Sequence, residues 1–285
     1  MNVSNLSVLV LTTSLVAAQQ AHAFGPDGHR IAGLIAEAYL CAEASVEVGR
    51  LSQGDDLAEL GLWADRIRTL PPWEDSGPWH YLNIADDESF EDYQSPPEGD
   101  VLWAITHFRS RLGDERLSAA RRAEALKFLV HFVVDLHQPL HVGRRLDRGG
   151  TSTEVYLGEE RLSLHRFWDT DAIREDELPA TRYARTVMPA AALVANEHRS
   201  SSARQWAAES LSLRSVVYDF DLETRQLDDD YLETASAVTQ RRLIQAGLRL
   251  ADQLNEEFCV IRSAGLPTAQ AQPLGAPAGR PRSSR

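Results

Sequence analysis

The stretch that most constrains this chain runs from Phe128 to Gly143, FLVHFVVDLHQPLHVG, and places three histidines and an aspartate in the eleven residues from His131 to His141. On a helix through Phe128 to Leu136, His131 and Asp135 stand four apart, one turn above each other, so both reach one point in space. A helix builds a metal site in this way. Pro139 has no amide hydrogen and disfavours helix for Gln138, so the helix ends or kinks there and sends His141 off at another angle. One peptide can then feed two metals. For any single imidazole here, a satisfied core histidine is the ordinary reading. For the set it is not, because imidazoles and a carboxylate among Phe128, Leu129, Phe132, Val133 and Leu136 are costly to bury without partners.

The rest of the chain supplies residues that could complete such a cluster. In LHRFWDT, His165 and Asp169 again stand four apart on a helical turn, and this second pair raises the metal reading above coincidence. Nearer the start, Pro26, Asp27 and Gly28 make a turn, and Ile31, Leu34, Ile35 and Ala38 form a helical stripe behind His29. Asp55 and Asp56 open a second helix leading to LGLWADRIR, where Asp65 and Arg68 share a face. The ordinary meaning of that spacing is a surface ion pair worth little. A turn rich in Pro and Trp follows and runs into Trp79-His80-Tyr81-Leu82-Asn83. Trp79 and Tyr81 suit a cleft wall where a base stacks, and buried core aromatics explain them almost as well.

Asp100 caps a helix through Leu112 whose His107 reads as structural, and Ser118 caps the central helix. Glu154 to Leu164 reads as a hairpin turning at Gly158 to Glu160. From Ala180 the chain is helical to Phe258, with breaks near Ser200 and from Leu222 to Asp229. With 43% hydrophobic and 25% charged residues the chain can bury a proper core, and no repeat or linker divides its helical body.

Residues 1–23 hold no Asp, Glu, Lys or Arg, carry an apolar run from Leu6 to Ala18 and end in Ala21-His22-Ala23, the pattern of a secretory leader cleaved after Ala23. The run falls short of the ~20 apolar residues of a membrane span. Cleavage leaves Phe24 with a free amine five residues from His29, and an amine with its own carbonyl can chelate a metal in a five-membered ring. Residues 263–285, rich in Pro, Gly, Ala and Arg, read as a disordered tail. The expectation is a soluble protein exported by a bacterium, secreted or periplasmic, without a membrane anchor. Cys41 and Cys259 permit one disulfide in that setting, and two buried free thiols is the equal alternative. A net charge of −13 argues against a general electrostatic hold on nucleic acid, so attraction to a polyanion has to be local.

These residues together resemble the zinc-dependent S1/P1 nuclease family, secreted single-strand nucleases and 3'-nucleotidases related to bacterial phospholipase C. The likeness covers nearly all of residues 24–262. It rests on Gly28-His29, Trp63-Ala64-Asp65 with Arg68, Trp79-His80-Tyr81, the central HFxxDxHQPLH, Asp147-x-Gly-Gly, His165 with Trp168-Asp169, Trp206 with Glu209-Ser210, and Ala246-Gly247-x-Arg249.

The resemblance implies an all-α fold, one mainly helical domain of the phospholipase C/P1 nuclease type with a small β-hairpin, and three zinc ions. The first zinc falls to Asp65, His80, His131 and one oxygen of Asp135. The second falls to the Phe24 amine and carbonyl, His29 and the other Asp135 oxygen, and the third to His141, His165 and Asp169. Three dications would supply six positive charges in one place, which reconciles an acidic protein with a phosphate substrate. The resemblance further implies that Asp65 orients an attacking water, that Arg68 holds charge on the phosphoryl oxygens and that Tyr81 stacks a base. The expected substrates are single-stranded DNA and RNA and 3'-nucleotides, acted on by a monomer.

Three departures stand out. Phe24 replaces the usual Trp, Asn83 stands where some members place a base-reading Asp, and Val134 replaces a frequent Gly. In this scheme His137 binds no metal and holds the kink at Pro139. The alternatives are a zinc-dependent phospholipase C, whose second pair typically ends in Glu where this chain has Asp169, and a zinc-binding protein without turnover.

Overall fold

A computed structural model describes residues 24–173, 178–195 and 201–259; the expected leader and tail lie outside the described residues. Helices α1 (Pro26–Ala38), α2 (Ala42–Ser52), α3 (Leu57–Leu60) and α4 (Trp63–Ile67) lead to strand β1 (Leu82–Ile84). Then come α5 (Val101–Gly113), the central α6 (Ala119–His137), β2 (Val142–Arg144), the strands β3 (Glu154–Leu157) and β4 (Glu160–Ser163), and a single turn α7 (Leu164–Arg166). The chain closes with α8 (Ala180–Val194), α9 (Ala203–Ser212), α10 (Arg214–Val217) and the long α11 (Asp229–Phe258). The fold is mainly helical, with two small strand pairs among the described residues.

Local chemistry accounts for most boundaries. Asp100, Ser118 and Asp228 accept hydrogen bonds from the amides of Trp103, Arg121 and Tyr231, each satisfying an orphan donor at a helix start. The hairpin turns at Gly158, whose φ of 60° suits glycine. The central helix stops at His137, and Gln138 adopts an extended conformation before Pro139.

The expected single helix from Asp55 is instead two short ones, α3 and α4. The break at Gly61–Leu62 turns the Gly61 carbonyl toward the ring of His131, 2.6 Å away. Helix α2 and the parallel pair β1–β2 were not foreseen. That pair aligns Leu82 with Val142 and joins the segment after His80 to the segment after His141.

Helix α6 runs through the core, packed against α5, α11, α9 and α2, while α1 packs on α11, α8 and α3. Gly247 lets α11 approach α1, since a Cβ there would lie 2.6 Å from the Cβ of Ile35. A smaller apolar cluster around Leu140, Leu164, Phe167, Trp168 and Tyr231 lies beside the main core. Cys41, at the start of α2, and Cys259, at the end of α11, form a disulfide with a sequence separation of 218. By loop-closure entropy such a bridge contributes as much as ~5 kcal/mol.

Candidate metal centre

Asp135 is fully buried, and its two carboxylate oxygens face different imidazoles. Oδ2 lies 3.0 Å from His80 Nδ1 and 3.1 Å from His131 Nε2. Oδ1 lies 3.3 Å from His29 Nε2, without hydrogen-bond geometry. Asp65 Oδ1 stands 3.9 Å from both His80 Nδ1 and His131 Nε2. Two donor groups result, His29–His131–Asp135 and Asp65–His80–His131, each with its ligand atoms within 4.8 Å of one another. They join α1, α4, the turn before β1, and α6.

A third group comprises His141, His165 and Asp169. His141 sits in the 3-10 turn Pro139–His141 that follows the break in α6. His165 lies on α7, which widens into a π-turn over Phe167–Asp171 and brings Asp169 Oδ2 to 3.3 Å from His165 Nε2.

Backbone carbonyls set the ring orientations. The Nδ1 atoms of His131, His141 and His165 donate to Gly61, His80 and Gly149 at 2.6, 2.7 and 2.5 Å. Their Nε2 atoms are thereby left as acceptors for a metal. Gln138 Nε2 donates to Asp169 Oδ1 at 2.6 Å, turning the other oxygen toward His165.

The titration behaviour has physical causes. Burial lowers His29, His80 and His165, and takes His141 down to about 3. Burial opposes charge on His131 too, but Asp135 and Asp65 push it up to about 9. Burial alone would raise Asp135, yet His131 and the surrounding imidazoles hold it well below the usual carboxylate range. Burial raises Asp169 well above that range.

These residues fit a metal. Both ring nitrogens of His29, Nε2 of His165 and Oδ1 of Asp135 are buried without a hydrogen-bond partner, a costly arrangement that a cation relieves. The donors are imidazole and carboxylate with no thiolate, a set that suits zinc.

Other expected residues fall around these groups. Arg68 Nη1 lies 3.4 Å from Asp65 Oδ1, both side chains only 14% exposed, so this is no surface ion pair. Tyr81 is 41% exposed, whereas Trp79 packs on Phe108 and Phe128 and donates to the Glu98 carbonyl. The Oδ1 of Asn83 is buried without a hydrogen-bond partner beside Gly143 and Gly149. Phe24 is fully buried, close enough to α1 that a Cβ on Gly28 would strike it. Val134 is buried in the core, His107 stacks on Trp103, and His137 joins none of the three groups.

Gln138 and the carbonyls of Gly61 and Gly149 escaped the sequence reading. Only the HQP sequence hinted at Gln138, and backbone acceptors leave no signature in side-chain identity.

Helical scaffold and donor set together define a mainly helical protein with three candidate metal-binding groups. Comparison with known proteins narrows this class. The S1/P1 Nuclease family model matches residues 24–259, and the chain belongs to that family. It is 30% identical over 281 residues to Endonuclease 2 of Arabidopsis thaliana, covering 88% of this chain and 96% of that protein. It is also similar to Nuclease S1 of Aspergillus oryzae, at 26% identity over 86% of this chain and 96% of that one. Nuclease P1 of Penicillium citrinum is 27% identical over 82% and 97%. The protein is a nuclease, a hydrolase acting as an endonuclease, and not a zinc-binding protein without turnover.

Proposed function

We propose that this nuclease is an exported enzyme of three zinc ions that cleaves single-stranded DNA and RNA to products with 5'-phosphates and removes 3'-phosphates from nucleotides. The observation that carries the proposal is the divided carboxylate of Asp135, whose two oxygens serve separate donor sets and so suit a bridge between paired metals. Asp65, His80, His131 and Asp135 Oδ2 hold one zinc. His29, Asp135 Oδ1 and the amine and carbonyl of Phe24 hold its neighbour, the amine freed by removal of residues 1–23. His141, His165 and Asp169 hold the third. Residues 24–262 form the catalytic domain of a monomer.

Bound zinc supplies Lewis acidity and brings the ionisation of water near neutral pH. Asp65 orients the attacking water toward phosphorus. Arg68, largely buried beside Asp65, donates to the equatorial oxygens as negative charge builds there. The third donor group faces the departing 3' oxygen. Tyr81 stacks a base, which requires an unpaired strand, and Asn83, two residues on, is the position assigned to the base edge.

The test is dialysis against a chelator, then zinc re-addition, with single-stranded DNA, RNA, duplex DNA, 3'-nucleotides and phosphatidylcholine assayed in parallel. Loss and recovery on the single strands and 3'-nucleotides, with 5'-phosphate ends on the products of strand cleavage, are expected. Hydrolysis that persists after zinc removal sinks the reading, and preferential attack on phosphatidylcholine favours the phospholipase alternative. Native mass spectrometry of the exported protein checks the three zincs, the monomer and the Phe24 terminus.

A further inference from the structure

Two motifs supply no residue to the metal groups, Trp206 with Glu209-Ser210 on α9 and the Arg249 segment of α11. They converge on the C-terminal end of α6. A helix end leaves carbonyls without intrahelical amides, and Pro139 offers none in return. Here α9 and α11 supply the donors. Ser210 Oγ donates to the Leu136 carbonyl at 2.7 Å and Arg242 Nε to the His137 carbonyl at 3.0 Å. Arg249 Nη1 donates to His137 Nε2 at 2.9 Å, while His137 Nδ1 donates to the Val133 carbonyl at 2.7 Å.

Glu209 ties the two arginines together, accepting from Arg242 Nη1 and from both terminal nitrogens of Arg249 at 2.7 Å. Arg242 also donates to Ser210 Oγ at 2.7 Å. Arg242, Arg249, Ser210 and His137 are each at most 2% exposed. Two guanidiniums against one carboxylate leave net positive charge at a helix C-terminus, where the macrodipole favours it. Burying ionised groups is expensive, and this set is not repaid by a surface role.

We infer that Glu209, Ser210, Arg242 and Arg249 are positioning residues, a clamp that fixes the break after His137 and so sets Gln138 and His141 for the third donor group. Gln138 is the first residue past the clamp and reaches Asp169, and His141 follows within one turn. The paired groups depend on it less, because His29, Asp65 and His80 come from other elements and His131 lies more than a turn upstream, which leaves Asp135, beside Leu136, as the one ligand of the pair next to the clamp. The effect on metal rests on the zinc reading above; the clamp itself does not.

The experiment combines hydrogen exchange, on metal-free and zinc-loaded protein, with native mass spectrometry during chelator titration. In Arg242→Gln, amides over 138–142 should exchange about 10-fold faster or more, with residues 126–134 unchanged. One zinc of three should leave at roughly 10-fold lower chelator concentration. Ser210→Ala, which loses a smaller part of the clamp, should shift both readouts the same way by less, and it carries the test if Arg242→Gln does not fold. Unchanged exchange over 138–142 in a folded variant overturns the clamp, as does a uniform rise along all of α6. A wild-type protein that holds no zinc defeats the zinc reading, and the metal-free exchange still judges the clamp.

Discussion

The paired donor groups and the third group use the same residue types but rest on different structure. The pair centres on two regular helices of the main core, with His131 and Asp135 one turn apart on α6 and His29 in the first turns of α1, and takes Asp65 from the short α4 and His80 from the 3-10 turn before β1. The third group hangs on irregular backbone, namely a 3-10 turn after Pro139, a π-turn, and a loop in which Arg148, Gly149 and Gly150 all have positive φ. Its geometry is held by neighbours, Gln138 on Asp169 and the Gly149 carbonyl on His165. Asp147 supports that loop by accepting from the Gly150 amide, Thr153 Oγ1 and Tyr218 Oη. A helix enforces the spacing of its own ligands, whereas an irregular site must borrow its order. The pair should therefore be robust to changes around it and the third group sensitive to them.

That contrast can be broken by experiment. Asp135→Asn removes the carboxylate that faces His29 with one oxygen and His80 and His131 with the other, and single-strand hydrolysis should fall by ~1,000-fold or more with loss of both paired metals in native mass spectrometry. A variant keeping full metal content would remove Asp135 from its bridging place. Arg68→Ala should lower kcat by about 100-fold with the zinc count intact, as expected of a group that meets charge only in the transition state. Loss of zinc there would mean that Arg68 organises the metals instead.

Gln138→Ala should weaken one metal of three by roughly 10- to 100-fold in chelator titration and leave the other two alone. Equal weakening of all three would erase the distinction between the regions. The smallest effect concerns acid stability. Burial opposes ionisation of Glu209, but Arg249 and Arg242 hold its carboxyl below the ordinary 4.5. Its stabilising contribution is therefore present above that value and is lost as pH falls through the lower folded-state value. Glu209 is partly exposed, so the effect is modest. Thermal melts across the acid range should show Tm falling less steeply in Glu209→Gln than in wild type, and parallel curves would refute the assignment.

Much of the fold was legible where local chemistry decides it. The caps at Asp100 and Ser118, the stop before Pro139 and the hairpin at Gly158 each follow from one or two side chains and the backbone they permit. Helix α2 was missed although its stripe of Ala44, Val48 and Leu51 is present, and the break at Gly61 was missed because a carbonyl turned toward His131 leaves no mark in the sequence. Family likeness, not spacing, suggested which histidines belong together. The parallel pairing of Leu82 with Val142, which sets the turns ending in His80 and His141 at the heads of adjoining strands, has no local cause.

By itself the sequence determined that His131 with Asp135 must share a helical face, because residues four apart on a helix have no other choice, whereas the π-turn that brings Asp169 to His165 was settled by the structure. The sequence determined too that His141 must leave the axis of α6, since proline cannot continue the helix. Only the tertiary structure decided that Asp135 divides its oxygens between His29 and the His80–His131 pair, that Gln138 holds Asp169, and that Glu209, Arg242 and Arg249 close over the end of α6. Those contacts join residues tens to more than a hundred positions apart. They exist because the packing of α1, α9 and α11 around α6 brings buried polar groups together, and groups removed from water must find partners in each other.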